Sequence, residues 1–339
     1  MLTTTFFPSL LAATSPEQER IEHAWSTHRP PGPEDLELVT PLEVLSAIRA
    51  MRMDAAPGLD GIPVICLKKC CGILLPWLRQ IFSNSLALGY FPEQWRIAKV
   101  LALRKPGKAS YATPRSYRPI SLLSNMSKLL ETIVNRRLMR YVESRCLLSP
   151  EQFGFRAGRE VMGACTSLVE DVTAAFRRRL QVQAVALDIQ AAYDSVWKAG
   201  LLEKLVAKGV SGTIISWVQS FLSSRRSILE VGTSRVEVAP ECGVPQGSPL
   251  SPTLFLIYID DLLHHLARLG RVRFQAFADD LIVWVTGDFR SGVMDPGLQR
   301  ALRLAEEWAD QWRLCFSPQK CECICFCAAN VRIQRTFDA

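Results

Sequence analysis

The sequence predicts an α+β fold, a sheet with helices on one face, and three observations carry that expectation. Short β-rich runs recur in the second half, at VQAVALDI, SILEV, VRFQAFA and LIVWVT. Helical stretches lie between them, at about Leu201 to Lys208, Ile214 to Leu222, Pro249 to Ala267 and Gly297 to Arg313. Two of the runs are joined by a tight turn in FQAFADDLIVWV, which reads as a hairpin with an acidic tip.

The bulk properties agree. A chain of 339 residues with 48% hydrophobic content can bury two or three lobes, each with its own core. The formal charge of +7 suits a polyanionic partner without demanding one. No run of about 18 apolar residues is free of charges and turn formers, so no membrane span is expected. MLTTTFFPSLLAATS lacks a basic start and is broken by Pro8, which argues against a signal peptide and for an intracellular protein, nuclear or cytoplasmic. The 11 cysteines are an odd number without a disulfide-like framework and are expected as thiols. Cys321, Cys323, Cys325 and Cys327 fall at period two and would share one face of a strand. They have no partner pair from a tight turn and no nearby His, so a zinc site is not the expected reading.

The elements follow in order. Residues 1–40 are rich in Pro, Glu and polar side chains and read as a lead-in or linker. Thr40, Pro41 and Glu43 form a capping box with proline at the first helical position, and Leu42, Leu45, Ile48 and Met51 then recur on one face of a helix closing near Ala55. APGLDG is a turn, and a second apolar helix covers Ile73 to Leu88. WRIAKVLALRKPGK reads as a strand running into a basic loop. A long amphipathic helix from about Ser124 to Glu143 carries Leu130, Ile133, Val134, Leu138 and Met139, with Arg136, Arg137 and Arg140 on its polar side. Another spans Val161 to Arg179, and its three terminal arginines suit either the helix dipole or a phosphate backbone. The beta-rich region begins at Gln181.

The chemistry lies at the ends of strands. Asp188 closes an apolar strand in ALDIQAAYDSVW, and Asp279 and Asp280 sit in the hairpin tip, so the carboxylates can meet. Hard oxygen ligands suit magnesium, and two such ions about 3.5–4 Å apart stabilise the attacking and leaving oxygens of phosphoryl transfer. Any one of these aspartates alone would be read as a backbone cap. IDDL, at Asp260 and Asp261, falls on a helix away from the hairpin and reads as a solvated face or a helix-end pair.

Together, LDIQAAYDSVW, GVPQGSPLSPTLF and FADDLIV resemble, in that order, the catalytic palm motifs of reverse transcriptases from non-LTR retrotransposons of the LINE and jockey kind. APGLDGI, RKPGK, SYRPISLL and SPEQFGFRAGR resemble the finger motifs of that family, and the likeness covers about Ala55 to Phe326. It implies a right-hand polymerase fold with a fingers region at 41–180, an antiparallel palm sheet at 181–328 and a short tail at 329–339. A primer grip and thumb would follow in the family, and the tail leaves them no room.

The resemblance also implies roles. Asp188 and Asp279 would ligate two Mg2+ ions, for which Mn2+ could substitute. Asp280 would be a third candidate, its side chain pointing elsewhere if the strand alternates, and the Ile189 carbonyl would complete the shell. Tyr193 would be the steric gate that excludes a ribose 2′-OH. Gln246 and Gly247 would meet the incoming nucleotide and the template, and Lys105 and Arg118 would grip the triphosphate. Arg156 would face the template. Lys320, in WRLCFSPQKCECICF, would protonate pyrophosphate as general acid, with Cys321 where threonine is frequent.

The function so implied is RNA-directed DNA polymerase, with an RNA template, a DNA primer and dNTPs as partners. A catalytically silent nucleic-acid-binding remnant is the alternative. An intron maturase or a cellular polymerase relative would share the palm, but RPISLL and FADD favour the retrotransposon branch. No endonuclease domain or CCHC knuckle is read in the chain, and the sequence specifies no oligomeric state.

Overall fold

The structure, a computed structural model, describes residues 2–27, 37–108, 110–231, 234–289, 293–327 and 330–334. In chain order the elements are α1 (Leu2–Phe6), α2 (Pro16–Thr27), α3 (Pro41–Ala50), α4 (Val64–Lys69), α5 (Cys71–Ala87), β1 (Ile97–Arg104), β2 (Tyr117–Leu122), α6 (Asn125–Ser144), α7 (Val161–Arg177), β3 (Gln181–Asp188), α8 (Lys198–Ala207), α9 (Gly212–Leu222), β4 (Arg226–Val231), β5 (Ser234–Val238), α10 (Ser251–Ala267), β6 (Arg273–Phe277), β7 (Asp280–Gly287), α11 (Pro296–Gln311), β8 (Glu322–Cys327) and β9 (Asn330–Gln334). They fall into two compact units. The first comprises Met1–Leu10, Glu17–Arg145 and Tyr193–Leu254, and the second comprises Leu11–Pro16, Cys146–Ala192 and Phe255–Ala339.

The first unit holds a four-stranded sheet in the order β2-β1-β4-β5. β1 runs antiparallel to β2 and parallel to β4. The SILEV run, expected in the same sheet as VQAVALDI, is β4 and pairs here instead, with Val100 opposite Leu229 in the core that also holds Phe6. The lead-in is also more ordered than its composition suggested. It carries α1 and α2, and Phe6, 1% exposed, packs with Val100 and Leu229. One buried aromatic ring outweighs the polar residues around it. Residues 28–36 lie outside the described part.

The expected capping box starts α3: Thr40 Oγ1 accepts from the Glu43 N–H, and Glu43 accepts from the Thr40 N–H. The helix ends at Ala50, and of the expected face Ile48 is buried, Leu45 and Met51 are half-buried and Leu42 is exposed. Val44, Ala47 and Ile48 are buried, while Leu42 is 71% exposed. Ser124 caps α6, whose buried face carries Leu130, Ile133, Val134 and Leu138. Arg137 binds Glu43, and Arg136 donates to Ser46 Oγ, so these arginines fasten α6 to α3.

The second unit is built on an antiparallel sheet in the order β6-β7-β3-β8-β9, and its last strand falls where only a short tail was expected. α7, expected among the fingers, belongs to this unit and packs through Ala175 on Val182, Ala184 and Trp284. Gln183 points to the opposite face, as strand alternation requires. Its amide accepts from the N–H of Asp295, the cap of α11. Helices therefore cover both faces of this sheet, which corrects the one-sided arrangement expected. Among the described residues no helix is long and apolar enough to cross a membrane.

Candidate active site

Three carboxylates meet in the second unit because of strand register. β3 and β7 pair so that Asp188 stands opposite Asp280, with Leu187 opposite Leu281. Residues directly opposite on antiparallel strands share a face, so Asp280 lies beside Asp188 rather than pointing elsewhere. In the β6–β7 hairpin Phe277 pairs with Asp280, leaving Ala278 and Asp279 as the two-residue turn. Ala278 adopts φ +59°, a left-handed conformation.

The electrostatics follow from this crowding. Burial raises the Asp279 carboxyl above its ordinary range, and the neighbouring Asp280 and Asp188 charges push it further. Burial and then Asp188 raise Asp280 in the same way. Lys320 opposes both shifts, and its ammonium stands 2.9 Å from each oxygen of Asp188. The backbone brings it there. The Ser317 N–H donates to the Asp188 carbonyl, the Gln190 N–H donates to the Cys315 carbonyl, and the Lys320 N–H donates back to Ser317. Ile189, 4% exposed, bridges Phe316 between these bonds. Its own carbonyl therefore points to the other edge of the strand.

The donor chemistry suits a divalent cation: hard oxygens, excess negative charge and partial burial. The side chains as they stand do not form a finished cage. Among the described residues no group of three His, Cys, Asp or Glu is arranged to hold an ion, and Asp188 is engaged by Lys320.

The nucleotide candidates lie in the first unit. Gln246 is anchored twice: its carbonyl accepts from the Ser121 N–H at 2.7 Å, and its Nε2 donates to Asp194 Oδ2 at 2.6 Å. Gly247 has φ +127°, and a Cβ there would stand 2.4 Å from the Ser121 carbonyl oxygen, so only glycine fits. The Tyr193 carbonyl accepts from the Val244 N–H, tying the tyrosine to the same loop. Arg118 is exposed on β2, opposite Leu103. Lys105 follows β1, with its N–H on the Ser116 carbonyl.

Arg156, expected to face a template, is 8% exposed, and its guanidinium donates to the carbonyls of Ser149 at 2.6 Å and Gln152 at 3.0 Å. A planar fork satisfies several backbone oxygens at once, which suits arginine to this internal task. Asp260 is likewise no solvated residue. It is 1% exposed and accepts from the Ser149 N–H, while Asp261 accepts from Trp308 Nε1.

Three polar groups had not been singled out. Asp194 is held by burial at a pKa of about 7, with the Gln246 amide and the charge of Lys105 acting in the opposite sense. Glu131 is fully buried and accepts from Ser127 Oγ and Ser248 Oγ. Its position gave the available signal, since the helical period sets it beside Leu130 and Val134 on the apolar face. Gln152 is 1% exposed and bonds the hairpin turn.

Comparison with known proteins accords with this geometry. A family model described as "Reverse transcriptase (RNA-dependent DNA polymerase)" matches residues 103–336. This chain belongs to the reverse transcriptase family. It is 33% identical over 289 residues to the "Probable RNA-directed DNA polymerase from transposon BS" of Drosophila melanogaster, covering 84% of this chain and 32% of that protein. It is 30% identical over 296 residues to the "RNA-directed DNA polymerase from mobile element jockey" of the same organism, covering 86% of this chain and 32% of the relative. The "Putative 115 kDa protein in type-1 retrotransposable element R1DM" is 32% identical over 278 residues, covering 82% of this chain and 26% of the relative. This member of the family thus spans between about a quarter and a third of the length of those curated relatives.

Proposed function

We propose that the chain is an RNA-directed DNA polymerase that extends a DNA primer on an RNA template, and that its two units supply the fingers and palm of such an enzyme. The observation that carries this reading is the register placing Asp188 opposite Asp280, with Asp279 in the adjoining turn. Three mutually repelling carboxylates at one sheet end are costly unless a cation neutralises them.

Asp188 and Asp279 would hold the metals, with Asp280 as a third oxygen donor and the Ile189 carbonyl beside them. When bound, two Mg2+ ions, or Mn2+ in their place, neutralise the attacking primer oxygen and the departing pyrophosphate. The primer 3′-hydroxyl, losing its proton to solvent, would form a bond to the α-phosphorus as the bond to the bridging oxygen of pyrophosphate breaks. Lys320 would then give a proton to that leaving oxygen, its ammonium already lying beside Asp188. Lys105 and Arg118 would bind the triphosphate, Gln246 and Gly247 would contact the nascent pair, and the Tyr193 ring would exclude a 2′-OH.

The test is primer extension on poly(rA)/oligo(dT), with Mg2+ and Mn2+ compared. Incorporation of dTMP that depends on the metal and disappears in Asp188→Asn supports the reading. Template binding without incorporation under either metal would overturn it in favour of a silent nucleic-acid-binding protein.

A further inference from the structure

The turn that carries Asp279 is held in place by a side chain far from it in sequence. Gln152 is 1% exposed, and its carboxamide makes three hydrogen bonds. Oε1 accepts from the N–H of Ala278 at 2.9 Å and from the N–H of Gly154 at 2.9 Å, while Nε2 donates to the Ala278 carbonyl at 3.2 Å. A carboxamide carries the same donor and acceptor as a peptide unit. Gln152 therefore pairs with Ala278 through its side chain as a neighbouring strand would through its backbone.

The surrounding backbone reinforces this pairing. The Ala276 N–H donates to the Glu151 carbonyl and the Phe153 N–H donates to the Ala276 carbonyl, so residues 151–153 run alongside β6 in a parallel bridge. Gly154 completes the seat: a Cβ there would stand 2.2 Å from the Ala278 nitrogen. Ala278 needs such support. Its φ of +59° costs an alanine about 1 kcal/mol or more relative to the right-handed region. The residue after it is Asp279, so the peptide plane that Gln152 binds on the carbonyl side is the one that leads into the carboxylate.

We propose that Gln152 is a positioning residue for Asp279: by bonding both backbone groups of Ala278 it fixes the left-handed turn and with it the place of the Asp279 carboxylate. This rests on the reading of Asp279 as a metal ligand. It assigns the SPEQFGF segment a task inside the second unit, where Arg156 is also spent on backbone carbonyls.

The experiment measures Mn2+ binding to the full chain by electron paramagnetic resonance, alongside the Mg2+ dependence of dNTP incorporation. Gln152→Leu keeps most of the volume and removes all three bonds. Gln152→Glu keeps both acceptor bonds and, when ionised, loses the donor. Loss of an outer partner that orients a ligand lowers metal affinity by about tenfold or more. The expected result is that loss in Gln152→Leu, an intermediate loss in Gln152→Glu, and a parallel rise in the Mg2+ concentration needed for half-maximal rate. A merely structural glutamine would lower the melting temperature and the active fraction without moving the metal titration. Wild-type Mn2+ affinity in Gln152→Leu, or in Gln152→Glu should the leucine variant not fold, overturns the inference. The reading beneath it is checked separately by Asp279→Asn: Mn2+ binding lost there but unchanged at Gln152 sinks the positioning role alone. Binding unchanged in Asp279→Asn overturns the metal assignment, and the positioning role with it.

Discussion

The Lys320 ammonium lies 2.9 Å from both oxygens of Asp188, so the proposed general acid and a proposed metal ligand form an ion pair in this chain. An entering cation must share or displace that partner. Lys320→Ala is therefore expected to bind Mn2+ more tightly than wild type while its kcat falls about a hundredfold, the usual scale for losing a positioned proton donor. Weaker Mn2+ binding in the variant would show that the ammonium assists the site instead of competing for it.

Asp188→Asn and Asp279→Asn each remove a charged oxygen, and incorporation is expected to fall by about a thousandfold or more in either. Primer-template affinity, measured by fluorescence anisotropy, should stay within about threefold, since the basic surface is untouched. Asp280→Asn should cost less, because that side chain is exposed at the start of β7. Activity within about tenfold of wild type in Asp188→Asn or Asp279→Asn would end their assignment as ligands.

Replacing Tyr193 with Val leaves its backbone bond from Val244 intact and removes the ring. The ratio of kcat/KM for dNTP over rNTP is expected to drop by about tenfold or more, as the space for a 2′-OH opens. An unchanged ratio would make Tyr193 an ordinary packing residue.

Asp194 supplies a pH prediction. Its carboxyl titrates at about 7 in the folded chain against an ordinary 3.8, burial being the main cause. The folded state thus keeps a proton between those values that the unfolded state has lost, so this group lowers stability as pH rises from 3.8 to about 7 and imposes its full cost above. Asp194→Asn still accepts the Gln246 amide and carries no charge. It should melt higher than wild type near pH 8, with the difference shrinking as pH falls through 7. A difference independent of pH would rule out the titration of Asp194 as its source.

Glu131 bonds two serine hydroxyls in a fully buried site, and burial raises its carboxyl. Glu131→Gln retains an acceptor and should unfold in urea close to wild type. Glu131→Leu removes the acceptor of the Ser248 hydroxyl, while Ser127 keeps its bond to the Ser124 carbonyl, and is expected to lose about 2 kcal/mol. Equal urea midpoints for the two variants would contradict the role given to these bonds.

The hairpin was legible because its signal is local: two apolar runs flank two acids, and β6, β7 and the Ala278–Asp279 turn fall within one stretch of chain. The placement of Asp188 at the end of β3 was legible for the same reason. The sheet partners of β4 were not, since SILEV has the same composition as the palm-like strands and its pairing with β1 depends on residues more than a hundred positions earlier. The burial of Arg156 was not legible, because a buried arginine satisfied by carbonyls looks, in sequence, like any arginine between glycines. Gln152 escaped notice because a side chain that imitates a peptide leaves no pattern at all.

The central position of β3 sets a condition on synthesis. Its two neighbours, β7 and β8, emerge from the ribosome about 90 and about 130 residues later. Translation at about 5–20 residues per second leaves this apolar strand without its sheet for several seconds. During that interval VQAVAL exposes two open edges, the form in which strands pair with the wrong chain. Yield of native protein should therefore depend on how fast the chain is finished and on what shields residues 181–188 until the Asp279 hairpin arrives.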